Sequence, residues 1–121
     1  MKAIFAAIAI ALGVGCTYPV TDPAILGKCG ERPPQEYAER VVSDAVRRMP
    51  LKDPGSAQVE GITITGPKRW FEPTGNIYGW EISFSLNAKN SYGGYTGFSR
   101  HLVLIQPGGV WLTRPADAWH P

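Results

Sequence analysis

In the run of residues 77 to 87, apolar side chains alternate strictly with polar or small ones from Tyr78 onward. A period of two is typical of a β-strand with one buried and one solvated face, whereas the side chains of a helix repeat every 3.6 residues. We therefore predict a sheet at the centre of the fold, with Glu81 on its solvated face. The apolar positions are Tyr78, Trp80, Ile82, Phe84 and Leu86.

The run from Tyr95 to Ile105 is the predicted antiparallel partner of this strand, and the glycine-containing segment between the two runs forms a hairpin turn. A three-residue turn pairs Phe84 with Leu102, whereas a two-residue turn pairs Phe84 with Val103. We favour the three-residue turn because it places more apolar area on the core face.

From Pro34 to Met49 the sequence has the pattern of an amphipathic helix. Pro34 suits the first turn of a helix, and Pro50 prevents the helix from continuing. Acidic residues near the start and two arginines near the end complement the helix dipole. The helix must bury its apolar stripe, which consists of Tyr37, Val41, Val42, Ala45, Val46 and Met49.

Three shorter runs predict further strands at 59–65, 68–71 and 110–113, with turn residues such as Gly66 and Pro67 between them. The 14 glycines and 11 prolines of the chain favour frequent turns over a long helical bundle. The predicted fold is α+β, with one N-terminal helix packed on an antiparallel sheet of four to five strands, and it occupies residues 34–121.

The first 15 residues predict a secretory signal peptide: Lys2 precedes an apolar run that ends in small residues. The apolar run is too short to span a membrane. Gly15 and Cys16 resemble the lipobox of bacterial lipoproteins, in which the cysteine is lipidated and becomes the new N-terminus. Because Thr17 follows, the resemblance implies an outer-membrane lipoprotein that faces the periplasm. The alternative is a cleaved signal with Cys16 as an ordinary thiol.

Residues 16–33 contain the lipidated cysteine and several prolines and glycines, and we predict that they form a flexible tether. The chain has two cysteines. If Cys16 carries lipid, Cys29 is the remaining thiol, and it is either buried or paired with another molecule. If Cys16 is not lipidated, a Cys16–Cys29 bridge is possible.

Charge and motifs argue against several classes of function. The 12 basic and 10 acidic residues give a net charge of +2 that is spread along the chain, so no nucleic-acid partner is predicted. The glycine pairs lack the strand-to-helix setting of a phosphate-binding loop, so no cofactor is predicted. Metal binding by His101, His120, Asp117 and Cys29 would bring together residues far apart in sequence, and no metal site is predicted.

We also predict that the protein is not an enzyme, because no nucleophile motif accompanies the two histidines. His101 is expected to be a structural or surface residue of its strand. Glu72 and Glu81 are the one pair of carboxylates considered for a cell-wall hydrolase, and this stays the less favoured alternative.

The segment from Asn87 to Phe98 is rich in tyrosine, asparagine, serine and glycine, which is the composition of binding loops. The alternative is structural, with glycines that form the turn and tyrosines that cover the sheet. The run from Lys68 to Trp70 either binds an acidic partner or lipid headgroups or forms a solvated sheet edge. The candidate binding residues are Asn87, Lys89, Asn90, Tyr92, Tyr95 and Phe98.

The segments Lys52–Gln58 and Asn87–Phe98 together resemble a group of small exported proteins of proteobacteria and their phages, largely of unknown function. The resemblance implies a location in the cell envelope. We therefore expect an envelope lipoprotein, held to the membrane by its lipid, whose domain binds an envelope protein. The alternative is a phage-type exclusion lipoprotein or an enzyme inhibitor.

Overall fold

A five-stranded antiparallel sheet, with its strands in chain order, forms the body of the computed structural model, which describes residues 17–116. Helices lie before the second strand, so the predicted α+β class with a helix on an antiparallel sheet is confirmed. The elements are β1 (Thr17–Pro19), α1 (Pro23–Leu26), α2 (Gln35–Arg48), β2 (Gln58–Glu72), β3 (Gly75–Lys89), β4 (Tyr95–Ile105) and β5 (Trp111–Pro115), with short 3-10 turns at Gly27–Cys29 and Pro54–Ser56.

The long helix α2 forms where the sequence predicts it. Pro34 is its N-cap residue, Glu36 lies in the first turn, and the chain leaves helical geometry at Met49, before Pro50. Its apolar stripe packs on β3 and β4, against side chains that include Ile82 and Val103. The buried helix positions are Ala38, Val41, Val42, Ala45 and Val46.

Strand β2 is a single strand of 15 residues, so the prediction of two strands with a break at Gly66 and Pro67 is wrong. The ladder is irregular between Ile64 and Gly66 but continues beyond it. The Val20 N–H donates to the Pro67 carbonyl at 3.0 Å. The N–H and C=O groups of a strand residue point to the same side of the strand. The N–H group that Pro67 lacks would therefore point away from β3, toward the place where β1 ends.

The favoured register of the β3–β4 hairpin is also wrong. Phe84 lies opposite His101, not Leu102 or Val103. Five residues, 90–94, separate the two strands, and the ladder is irregular between Asn87 and Lys89. The longer loop and this irregularity shift the pairing, because register in a hairpin follows from its turn.

Both faces of the sheet are buried at its centre. The face toward α2 carries Ile82, Phe84 and Val103, whereas Trp70 packs with Leu102 and Leu104 on the opposite face. Glu81 shares that opposite face and is 4% exposed, so its predicted position on a solvated face is wrong.

The segment predicted as a flexible tether is instead docked on the sheet. Strand β1 pairs with β2, placing Thr17 opposite Trp70 and Pro19 opposite Lys68. Strand β1 therefore pairs with β2 along the run from Lys68 to Trp70, so the alternative of a solvated sheet edge there is wrong. Farther along, the Trp80 Nε1–H donates to the Gly30 carbonyl at 2.9 Å. The local spacing of apolar residues does not predict this docking, because the residues that pair with β1 lie about fifty positions later in the chain.

Cys29 is buried, in agreement with one of the two predictions for a lipidated chain. Its Sγ lies 4.0 Å from the Lys68 carbonyl oxygen. The predicted signal peptide and Cys16 lie outside the described residues, as do Asp117 and His120. Within residues 17–116, no helix is long and apolar enough to cross a membrane.

Candidate binding site at the β3–β4 hairpin

The loop between β3 and β4 is held by its own hydrogen bonds. The Asn90 side-chain oxygen accepts from the backbone N–H groups of Tyr92, at 2.9 Å, and Gly94, at 3.2 Å. The Asn90 N–H in turn donates to the Gly94 carbonyl at 2.8 Å, and Gly93 adopts φ +83°, a conformation that favours glycine. The loop thus has a defined shape, and it presents the Tyr92 side chain with 96% of its surface exposed.

Asn87 belongs to the support of the hairpin and not to its contact surface. Its side chain is 8% exposed, donates to the Gln58 Oε1 at 3.0 Å and accepts from the Gly97 N–H at 3.0 Å. Gly97 has φ +99° at the point where the ladder is irregular. A buried amide with partners on two sides stabilises this irregular segment.

Tyr95 links the hairpin to the rest of the domain, and Lys89 lies beside its ring. The Tyr95 hydroxyl donates to the Ser56 carbonyl at 2.9 Å, and the Lys89 ammonium lies 5.5 Å from the centre of the Tyr95 ring. Tyr95 is still 44% exposed. Phe98 is 49% exposed and lies opposite Asn87, on the sheet face away from α2.

An apolar cleft of about 320 Å³ lies beside the hairpin, beyond the end of α2. It is on the sheet face that packs against the helix, and its size suits one or two side chains of a bound protein. Its walls include Met49, Leu51, Leu86, Thr96, His101 and Pro115.

His101 forms part of the wall of this cleft and has the structural contacts predicted for it. Its ring stacks on Phe84 with centroids 5.6 Å apart and planes 21° apart. Its Nε2 lies 3.1 Å from the Ser99 hydroxyl. Across the described residues, no group of three or more His, Cys, Asp or Glu side chains is arranged to hold a metal ion.

The sheet face opposite α2 holds a polar cluster that the sequence analysis does not predict. Glu81 accepts from the Trp70 Nε1–H at 3.0 Å and from the Thr65 hydroxyl at 2.9 Å, and the Lys68 ammonium lies 3.5 Å from its carboxylate. A glutamate on the polar face of an alternating strand is ordinarily solvated. The pattern of β3 alone therefore does not predict the burial of Glu81, which depends on residues of β2.

The two carboxylates considered for hydrolysis both have structural partners. Glu81 is buried within the cluster just described, and Glu72 pairs with Arg114. The Arg114 guanidinium also lies 3.9 Å from the centre of the Trp70 ring. This arrangement gives the hydrolase alternative no support.

The structure therefore separates the six candidate residues into three roles. Tyr92 is presented to solvent, and Asn87 and Asn90 shape the hairpin. Lys89, Tyr95 and Phe98 lie beside the tip with partly exposed side chains.

Comparison with protein-family models, curated proteins and solved structures finds no match to this chain. The resemblance to exported bacterial and phage proteins stays a prediction.

Proposed function

We propose that this protein is a non-catalytic lipoprotein of the bacterial envelope whose domain binds another envelope protein through the tip of the β3–β4 hairpin. The observation that carries the proposal is Tyr92, whose side chain is 96% exposed on a loop with a defined shape. A tyrosine offers a large contact area at a small cost in conformational entropy, and it is enriched among residues that dominate binding energies.

The surroundings of Tyr92 support the same proposal. Tyr95 and Phe98 expose 44% and 49% of their surfaces close to the tip. The apolar cleft lies beside the hairpin on the sheet face opposite to that of Phe98. Because Asn90 already orders the loop, binding costs less ordering than it would for a flexible loop. A partner would cover Tyr92 at the tip and insert an apolar side chain into the cleft.

The anchoring half of the proposal rests on Cys16 and the apolar run before it. A lipid on this cysteine places the domain at the outer membrane, on its periplasmic side. The proposed partner is accordingly a periplasmic or outer-membrane protein. A phage-type exclusion or enzyme-inhibitor role is the second candidate, because a protruding loop ordered before binding is also what a pre-organised inhibitor presents.

Substitution of the tip residue tests the binding half. We expect Tyr92→Ala to weaken binding of a partner, isolated from envelope extract with the wild-type protein, by at least about tenfold, which is the loss of a dominant contact residue. The purified pair is compared by titration calorimetry. Asn76→Ala is the matched control, because Asn76 is an exposed residue at the other end of β3.

The stability of the two variants separates binding from folding. Because Tyr92 is almost fully exposed, Tyr92→Ala is expected to leave the urea midpoint unchanged. Equal affinity of wild type, Tyr92→Ala and Asn76→Ala for the partner would contradict a binding site at the tip.

A further inference from the structure

The docked strand β1 leaves almost no length between the proposed lipid and the sheet. Thr17 is the first residue of β1 and lies opposite Trp70. Cys16 is bonded directly to Thr17, and neighbouring Cα atoms are about 3.8 Å apart. The Val20 N–H, which donates to the Pro67 carbonyl at 3.0 Å, extends the attachment of this segment by one more residue.

The direction of β1 determines which end of the sheet carries the anchor. Thr17 lies opposite Trp70, and the pairing then runs back toward Lys68. The chain therefore enters β1 at the end of the sheet that holds the end of β2 and the turn joining β2 to β3. Strand β3 leaves this turn and runs for 15 residues to the hairpin, a distance of about 45 Å.

The anchored end carries a group of aromatic and basic side chains that we name the basal patch: Lys28, Arg69, Phe71 and Tyr78. Arg69 and Tyr78 are directly paired across β2 and β3, and Phe71 lies two residues beyond Arg69 on the same face. Phe71 is 42% exposed, and the Arg69 guanidinium lies 5.0 Å from the centre of its ring. The exposed Lys28 has its ammonium 5.3 Å from the centre of the Tyr78 ring.

This composition suits a phospholipid surface. Aromatic rings are favoured at the level of the headgroups, and lysine and arginine next to a membrane are attracted to anionic lipids. The nearby Glu72 is paired with Arg114, which reduces its repulsion of lipid phosphates.

We infer that the basal patch lies on the phospholipid surface into which the Cys16 lipid inserts, so that the hairpin tip points away from the membrane. The inference rests on the lipid anchor of the proposed function. It replaces a domain that moves freely on a tether with one that is held in a single orientation by β1 and by the contacts of the basal patch.

Energy transfer to an acceptor on lipid headgroups tests this orientation. The lipidated full-length protein is reconstituted in vesicles of phosphatidylethanolamine and phosphatidylglycerol, with a donor dye on Thr74→Cys at the β2–β3 turn or on Ser91→Cys at the hairpin. Both positions are exposed, and Cys29 is buried and so protected from the dye. We expect transfer from position 74 to exceed transfer from position 91 several-fold.

Two matched changes separate the sources of the orientation. A flexible glycine–serine insert between Cys16 and Thr17 is expected to reduce the difference between the two positions. Lys28→Glu is expected to reduce transfer from position 74, whereas Lys52→Glu, an exposed lysine near the start of β2, is expected to leave it unchanged. Vesicles of phosphatidylcholine alone are expected to reduce the effect of Lys28.

The outcomes distinguish this inference from the proposal on which it rests. Equal transfer from the two positions, with the lipid found on Cys16 by mass spectrometry, overturns the orientation and leaves the anchor in place. Absence of lipid on Cys16 and equal palmitate labelling of wild type and Cys16→Ser overturn both. Neither result affects the binding measured for Tyr92→Ala.

Discussion

At the scale of single residues, Glu81 shows how a buried charge depends on all of its partners. Its carboxylate accepts from Trp70 and Thr65 and lies near the Lys68 ammonium. When one member of such a cluster is removed, the remaining polar groups stay buried without a hydrogen-bonding partner. The resulting loss of folding free energy is larger than the net stabilisation that the contacts give when all are present.

Glu81→Ala is accordingly expected to lower the free energy of unfolding by about 3 kcal/mol, because the Trp70 N–H and the Lys68 ammonium lose their acceptor. Urea denaturation followed by tryptophan fluorescence measures the change. Glu60→Ala, at an exposed position of β2, is the control and is expected to stay within about 0.5 kcal/mol of wild type. Equal losses in the two variants would show that the Glu81 cluster contributes nothing specific.

Cys29 gives the fold a predictable response to alkaline pH. Burial raises the pKa of the Cys29 thiol and outweighs the backbone hydrogen bonds from Gly79 and Lys68, which lower it. In the unfolded chain a thiol loses its proton near pH 8.5, whereas the folded protein keeps the proton to a higher pH. The unfolded state therefore binds fewer protons above this pH, and stability must fall as the pH rises.

We therefore expect the wild-type urea midpoint to fall above about pH 8.5 relative to that of Cys29→Ala, which has no thiol at this position. Below that pH the difference between the two proteins is expected to be constant. Denaturation series from neutral to alkaline pH measure both midpoints, and parallel curves over the whole range would contradict the prediction.

At the scale of elements, a single glycine decides how closely β3 and β4 approach at one end. A Cβ atom on Gly79 would lie 2.3 Å from the Ile105 carbonyl oxygen and 2.8 Å from its carbonyl carbon. These are backbone atoms within a paired strand, and they cannot move without disturbing the ladder.

Gly79→Ala is expected to destabilise the domain by about 3 kcal/mol, the upper part of the range for an overpacked interior. Gly27→Ala is the control. Gly27 has φ −59°, and among the described residues no atom outside its local chain neighbourhood lies within 4 Å of an added Cβ. The change is therefore expected to be neutral or slightly stabilising. Thermal unfolding compares the two variants. A Gly79→Ala midpoint no lower than that of Gly27→Ala would show that the strands accommodate the methyl group.

The elements also show which features local pattern predicts and which it does not. The helix from Pro34 to Met49 and the strand from Tyr95 to Ile105 were predicted closely, because proline boundaries and apolar periodicity are local properties. The docking of β1 and the register of Phe84 depend on partners distant in sequence or on the exact length of a loop.

The candidate site follows the same division. A tyrosine- and glycine-rich loop marks the tip, and the structure indeed exposes Tyr92 there. Asn87 was chosen for the same composition but is buried, because its partners Gln58 and Gly97 come from other parts of the sheet. The apolar cleft joins the end of α2 to three strands, and no single segment of the sequence contains it.

At the scale of the whole molecule, the strands do not contribute equally to stability. Strands β2, β3 and β4 form the long central ladders, whereas β1 contributes three paired residues at the edge. Short edge elements with few contacts open by local fluctuations that need less free energy than global unfolding.

Hydrogen exchange is expected to resolve this difference. The Val20 N–H, bonded to Pro67 at the end of β1, should exchange through local opening that is insensitive to low concentrations of denaturant. Central ladder amides near Ile82 and Val103 should exchange only through global unfolding. A single opening free energy for both groups, measured by NMR, would show that β1 and the central strands open as one unit.

The pairing of β1 with β2 has a mechanical consequence. If a partner pulls on the hairpin tip while the lipid holds residue 17, the two strands are drawn in opposite directions along their axes, since β1 and β2 are antiparallel. The load then acts in shear, so the hydrogen bonds along the three paired residues resist it together and do not open one after another. The edge strand would act as a short mechanical clasp, and its release would free the chain that precedes α2.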